Sequence, residues 1–173
     1  MRNGTSAGAV ATNDGVEIRI AGDRGRGVFT TRAFAAGEIV VRGRPVGWVR
    51  ERDNRSLQMG PDRHALFDEP ACLINHSCGP ITGVRDNPVG GYDFIALADI
   101  PAQTEVTFDY ATTEYVSVAV PVCLCGAVNC RGASGGFTTL PSDHPLIGAG
   151  FIAGYLRGEP RRAGAQDARA GAA

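Results

Sequence analysis

Three cysteines fall within eight residues, Cys123-Leu124-Cys125-Gly126-Ala127-Val128-Asn129-Cys130, a C-x-C-x4-C spacing. Thiolates are soft metal ligands. Three this close, with Gly126 allowing the chain to fold back, can occupy three corners of a tetrahedron at about 2.3 Å from a zinc ion. A structural zinc needs a fourth donor. Cys78 is the obvious one and Cys72 the alternative, the plain reading of Cys72 being a small buried hydrophobe. The chain's five cysteines are odd in number and clustered, and no secretion signal precedes them, which points to metal rather than disulfides. A second group lies in Leu73-Ile74-Asn75-His76-Ser77-Cys78, where an apolar run ends in an amide, an imidazole, a hydroxyl and a thiol. By itself that tetrapeptide is a weak signal, and a lone His76 is ordinarily a satisfied structural histidine. The same holds for Tyr110 in Phe108-Asp109-Tyr110, ordinarily an edge aromatic with a solvated hydroxyl. Gly25-Arg26-Gly27 could simply make a hairpin turn, or could let backbone approach a ligand closely. It is no dinucleotide fingerprint, since a third glycine and a following helical pattern are missing.

The elements that must position these residues are short. Val16-Glu17-Ile18-Arg19-Ile20 alternates apolar and charged residues, the pattern of a half-buried strand. The glycine-rich turn 22–27 feeds a second strand beginning at Val28-Phe29. A turn at Ala35-Ala36-Gly37-Glu38 precedes a strand at Ile39-Val40-Val41, and Leu57-Gln58-Met59 is a further short strand. Residues 42–55 are rich in arginine. Asp68-Glu69-Pro70 turns the chain into the Asn75–Cys78 segment. Residues 92–97 and 105–110 read as strands, 116–122 as a short β-branched run, and 145–157 as one C-terminal helix interrupted by glycines. Six acidic residues and no basic one lie between Asp86 and Glu114, for which a solvated acidic face is the default explanation.

The 173 residues suit one domain able to form a core unaided. A net charge of −1 offers no global attraction to nucleic acid. No apolar run approaches the roughly 18 residues that span a bilayer, and the first fifteen residues lack the basic start and apolar stretch of a signal peptide. A cytoplasmic protein is expected, with no membrane and no direct nucleic-acid partner. All seventeen basic residues counted as Lys+Arg are arginine.

Order and spacing together carry more than any motif alone. A glycine-rich turn, then Arg32-Ala33-Phe34-Ala35-Ala36-Gly37-Glu38, then Leu73-Ile74-Asn75-His76-Ser77-Cys78, then Glu105-Val106-Thr107-Phe108-Asp109-Tyr110, then the cysteines resembles the SET-domain protein lysine methyltransferases with a post-SET zinc segment. The resemblance runs from about Val16 to Phe137 and is greatest to small single-domain bacterial and fungal members. It implies a mostly β fold with little helix, in which small curved sheets surround a knot-like crossing and Asn75–Cys78 lies beside the last strand. The implied layout is a lead-in at 1–15, a SET domain at 16–115, a post-SET zinc segment at 116–140, a C-terminal extension at 141–157 and a disordered tail at 158–173.

The resemblance also implies an activity, methyl transfer from S-adenosylmethionine to the ε-amine of a protein lysine. Backbone at Arg24, Gly25 and Arg26 would meet the methionine part of the cofactor, and Asn75 and His76 its amino group and adenine. Leu124 and Phe137 would help wall the adenine and the lysine channel. Tyr110 would be catalytic, at the point where the methyl passes. Cys78, Cys123, Cys125 and Cys130 would hold one structural zinc. Phe108 occupies the family's Phe/Tyr switch, and phenylalanine there implies di- or trimethylation. The chain departs from the family at Cys72-Leu73, where Arg-Phe is usual, at Ile81, where an asparagine is usual, and at Val122, where an aromatic is usual. It also has no tyrosine near 56–58, where many members carry a second channel tyrosine. Two other readings use the same residues: a non-catalytic zinc-stapled module that binds cofactor or partner, and an enzyme acting on a small-molecule amine.

Overall fold

A computed structural model of the chain describes residues 14–53 and 55–158. The greater part of the expected lead-in, and the tail beyond residue 158, lie outside the described residues. The strands are, in chain order, β1 Val16–Ile20, β2 Arg26–Thr30, β3 Ile39–Gly43, β4 Pro45–Val49, β5 Ser56–Gly60 and β6 Arg63–Phe67. They continue with β7 Asn75–His76, β8 Thr82–Asp86, β9 Tyr92–Ala96 and β10 Glu105–Phe108. Three small sheets result, in the orders β1-β2-β10-β7, β3-β9-β8 and β4-β6-β5. The expectation of a mostly β chain with little helix is met: the longest helix among the described residues is the four-residue α1, Pro145–Gly148.

The β1–β2 hairpin follows from its turn. Gly22 and Gly25 take left-handed φ of 59° and 77°, so the chain reverses within a short 3₁₀ turn, and Val16 pairs with Thr30 through to Ile20 with Arg26. Gly27 has a different reason to be glycine. A Cβ there would lie 2.9 Å from Asn75 Nδ2 and 3.0 Å from Glu105 Oε1. β10 then pairs antiparallel with β2 and parallel with β7, setting Thr107 beside Asn75 and Phe108 beside His76. The segment bearing Asn75–Cys78 is thus fixed against the strand that ends at Phe108, although the paired residues lie 32 positions apart in sequence.

The core lies between the sheets. Val28, Val41, Val84, Phe94 and Val106 are wholly buried, and each such side chain contributes about 1.5–3 kcal/mol by leaving water. Phe67 stacks on Tyr92 with ring centroids 5.7 Å apart, and Phe94 meets Phe108 edge-on at 5.0 Å. Tyr92 donates its hydroxyl to Gln58 O at 2.5 Å, tying the β3-β9-β8 sheet to β5.

Several expectations are corrected. The strand ending at Tyr110 stops at Phe108. Asp109 Oδ1 accepts the Ala111 N–H at 3.0 Å and starts a 3₁₀ turn, Tyr110–Thr112, that carries the tyrosine out of the sheet. Residues 116–122 form no strand and make one isolated bridge, Val120 to Ser134. The C-terminal helix is cut short because Gly150 adopts φ 73° and the chain turns back, seating Phe151 against Gly83. β4, β6 and β8 were not anticipated. In β8, Thr82-Gly83-Val84 is buried on successive residues, so no alternation marks it. The acidic stretch is not a solvated face either. Asp93, Asp109 and Glu114 are buried, and each meets an arginine: Arg42, Arg131 and Arg52 respectively.

Candidate active site

Two hollows share a wall. The larger, about 390 Å³, is bordered by Arg24, Arg26, Asn75, His76, Tyr110 and Leu124. The smaller, about 50 Å³, is bordered by Phe108 and Tyr110 together with Ile74, Glu114 and Ser117. Tyr110, Cys72, Arg55 and Ala119 border both. Cys72 is therefore part of the wall, half-buried and with its thiol pushed up by burial, and it is not grouped with the other cysteines.

The larger hollow collects residues from three elements. Glu105, at the start of β10, accepts from Arg24 Nη2 and, at 2.9 Å, from Asn75 Nδ2. Asn75 Nδ2 also donates to Arg26 O at 3.3 Å. With its amide nitrogen held from two sides, Asn75 has Oδ1 left to accept from a ligand. Glu105 was not singled out in the sequence. It reads there as one more outward residue of an alternating strand, and only the tertiary fold shows it organising Arg24 and Asn75.

His76 is engaged through both ring nitrogens. Nδ1 accepts the Tyr110 N–H at 3.2 Å, so the proton of the neutral ring belongs on Nε2, which lies 3.4 Å from Cys78 Sγ. Burial brings the imidazole pKa down to about 4, against the upward pull of Asp109, while Arg131 adds to the lowering. The ring is thus neutral near pH 7, and what it offers a ligand is its face and its main chain. Tyr110 itself donates its hydroxyl to Ile74 O at 3.0 Å. Its ring sits between His76, edge-on at 5.2 Å, and Phe108 at 4.8 Å. Burial raises the phenol well above its ordinary value, which keeps it a hydrogen-bond donor.

The sulfurs of Cys78, Cys123, Cys125 and Cys130 all lie within 4.8 Å of one another, and Cys78 to Cys123 is 3.9 Å. A tetrahedron with metal–sulfur bonds of about 2.3 Å has sulfurs about 3.8 Å apart, so the four could hold a metal ion. The Arg131 N–H donates to Cys78 Sγ and the Gly132 N–H to Cys130 Sγ, both at 3.4 Å, which suits thiolates bearing negative charge. The fourth thiol in the group is Cys78, which decides between it and Cys72.

Arg131 also reaches across from the cysteine loop to Asp109, at 2.7 Å from Nη2 to Oδ1, with Asp109 fully buried. This pair fastens the loop to the turn that bears Tyr110. We expect Arg131→Leu, which strands a buried carboxylate, to lower stability by about 3 kcal/mol in urea denaturation. A loss below about 1 kcal/mol would assign the pair to the surface class.

Phe137 stands apart. It is buried and borders a separate hollow with Ile147, Ile152 and Leu156, so the structure does not place it in the small hollow with Phe108. Gly25 lies between two bordering arginines, with open space where a Cβ would point.

The SET domain family model matches residues 25–111, half of the chain. The chain belongs to the SET domain family. It is 31% identical over 129 residues to the H3 lysine-4 specific histone-lysine N-methyltransferase of Eremothecium gossypii, covering 61% of this chain and 13% of that protein. It is 35% identical over 80 residues to the H3 lysine-9 specific histone-lysine N-methyltransferase dim-5 of Neurospora crassa, covering 36% of this chain and 24% of that protein. These matches thus span about a quarter or less of the relatives' length. Among solved structures, KRYPTONITE in complex with mCHG DNA and SAH superposes with a TM-score of 0.52 at 23% identity, over 68% of this chain and 28% of that one. That likeness is one of fold.

Proposed function

We propose that this chain transfers a methyl group from S-adenosylmethionine to the ε-amine of a protein lysine. The observation that carries the reading is the pair of hollows that share Tyr110 as a border, one wide enough for a nucleoside-sized molecule and one narrow and largely apolar. Relatives named as histone-lysine N-methyltransferases support it. The bound cofactor would supply an electrophilic methyl on a positively charged sulfur. The chain's own residues would do the rest. Asn75 Oδ1 would accept from the cofactor's ammonium, with Arg24, Gly25 and Arg26 lining its methionine end and Leu124 covering its adenine. The apolar sides of the small hollow, Ile74 and Phe108, would strip water from an amine whose ordinary pKa is about 10.4 and so favour its neutral, nucleophilic form. Tyr110 would orient that amine for in-line attack from the opposite face.

The same reading takes the ion held by the four cysteines to be zinc, stabilising the 116–140 segment, and places the protein in the cytoplasm, where thiols stay reduced. Labelled S-adenosylmethionine incubated with cell lysate, then separated into protein and small-molecule fractions, tests the proposal. Label on protein lysine is expected. Label only on small molecules would overturn the substrate class, and no cofactor binding by calorimetry would leave a non-catalytic module. The chain contains no lysine, so none of the lysine label can come from its own side chains.

Phe108 bears on product. It is 3% exposed, wedged between Phe94 and Tyr110 at the small hollow. A tyrosine hydroxyl there would hold a water or the amine and leave less room for a second methyl. Wild type should give di- or trimethyl-lysine by mass spectrometry, and Phe108→Tyr mainly monomethyl. Monomethyl product from both would refute this.

A further inference from the structure

The small hollow has more apolar than polar lining surface, but Arg52, Asp53, Arg55, Ser56, Thr113, Glu114 and Ser117 also border it, and the transfer chemistry above uses none of them. Glu114 borders it and is 8% exposed. Its Oε1 accepts the Gln58 N–H at 2.8 Å, which fixes the carboxylate to the edge of β5. Its Oε2 lies 3.7 Å from Arg52 Nη1, and that arginine also donates to Val116 O and keeps a third of its side chain in solvent. Burial pushes the carboxyl pKa up, against the Gln58 N–H and the Arg52 charge. Ser117 borders the same hollow at 8% exposure, and its hydroxyl oxygen is buried without a hydrogen-bond partner. A buried hydroxyl left unpaired is costly unless a ligand or water meets it.

We infer that Glu114 and Ser117 form the cation-recognising element of the small hollow, selecting a substrate side chain that arrives as an ammonium over an uncharged one of the same shape. The inference rests on the reading of this hollow as an amine channel and adds to it how the channel tells lysine from an apolar chain. The chemistry is complementary to that of the wall. Tyr110 and the apolar sides favour the neutral amine needed for attack, whereas a protein lysine reaches the channel charged and must first give up water. A fixed carboxylate offsets that desolvation at short range, and a hydroxyl can accept one of the three N–H bonds. Arg52, which also borders the hollow, is the group the ammonium would replace at Glu114 Oε2, its hydrogen bond to Val116 O remaining to hold it. The Glu114 backbone N–H bonds Tyr110 O at 2.9 Å, so the anion and the phenol are held in a constant relation by one turn of chain.

The test uses two small probes on ¹⁵N-labelled full chain loaded with S-adenosylhomocysteine: Nα-acetyl-lysine N-methylamide and its isosteric uncharged counterpart, Nα-acetyl-norleucine N-methylamide. Affinities come from amide shifts of residues 108–117. Wild type should prefer the lysine probe by about tenfold or more. Glu114→Gln keeps an acceptor for the Gln58 N–H but loses the charge, and should reduce the preference to about twofold or less without weakening the norleucine probe. Ser117→Ala should lower the preference about threefold. A wild-type preference under threefold, a preference unchanged in Glu114→Gln, or equal weakening of both probes would overturn the inference. Should Glu114→Gln lose its folded spectrum, wild type and Ser117→Ala decide. Binding of neither probe to wild type would instead overturn the reading of the hollow as an amine channel.

Discussion

Tyr110→Phe should reduce methyl transfer by about 100-fold or more while S-adenosylmethionine affinity stays within about threefold. The size follows from what the hydroxyl does. It is a fixed donor at the shared border of the two hollows, and removing one such preorganised group costs about 10²–10³ in rate. The fold should tolerate the change. The ring keeps its contacts with His76 and Phe108, and the backbone N–H to His76 Nδ1 is untouched. What is lost within the protein is one hydrogen bond to Ile74 O, worth about 1 kcal/mol. Initial rates of labelled transfer, with calorimetry of the cofactor on the same preparation, make the test. Activity within tenfold of wild type would remove Tyr110 from the reaction.

The second large effect is on metal. Purified wild type should carry about one zinc per chain by atomic emission, and Cys125→Ser should lose it or bind it more than about a hundredfold more weakly. Residues 116–135 have almost nothing else to hold them. They contribute one isolated bridge, and Val118, Val122, Leu124 and Val128 are exposed rather than packed in a core. The remaining ties are the Asp109–Arg131 pair and hydrogen bonds such as Asn129 Nδ2 to Cys78 O at 3.1 Å. Structural zinc in small motifs contributes about 10–16 kcal/mol of apparent binding energy, far more than these. Cys125→Ser should therefore loosen the wall containing Leu124 and weaken cofactor binding, while the three β-sheets keep their far-ultraviolet signal. Wild type without metal, or Cys125→Ser with unchanged zinc content, would refute the assignment.

Short-range patterns in this chain are legible from sequence, and long-range contacts are not. The grouping of Cys123, Cys125 and Cys130 was legible because their spacing is local. β1, β2, β3, β5, β9 and the β10 strand were legible from apolar patterning, and the glycine turn 22–27 from its composition. β8 was not, because burial on successive residues erases the period-2 signal. The C-terminal helix was overread because an apolar run with glycines does not reveal that Gly150 turns the chain back onto Gly83. Phe137 was assigned to the channel through the family resemblance, and packing against the C-terminal segment places it elsewhere.

Charge shows the limit most plainly. The run from Asp86 to Glu114 reads as a solvated acidic surface, since the run itself contains no cation. The partners are Arg24, Arg42, Arg52 and Arg131, brought in from 17 or more residues away. By itself the sequence carried the family, the cluster of thiols and several of the residues that border the larger hollow, because each is encoded by residue type at short spacing. Only the tertiary structure decided that Cys78 rather than Cys72 completes the thiol group, that Glu105 holds Asn75, and that Glu114 and Ser117 border the small hollow. Those are contacts between segments far apart in the chain, and it is the packing of three sheets, not any local pattern, that brings them together.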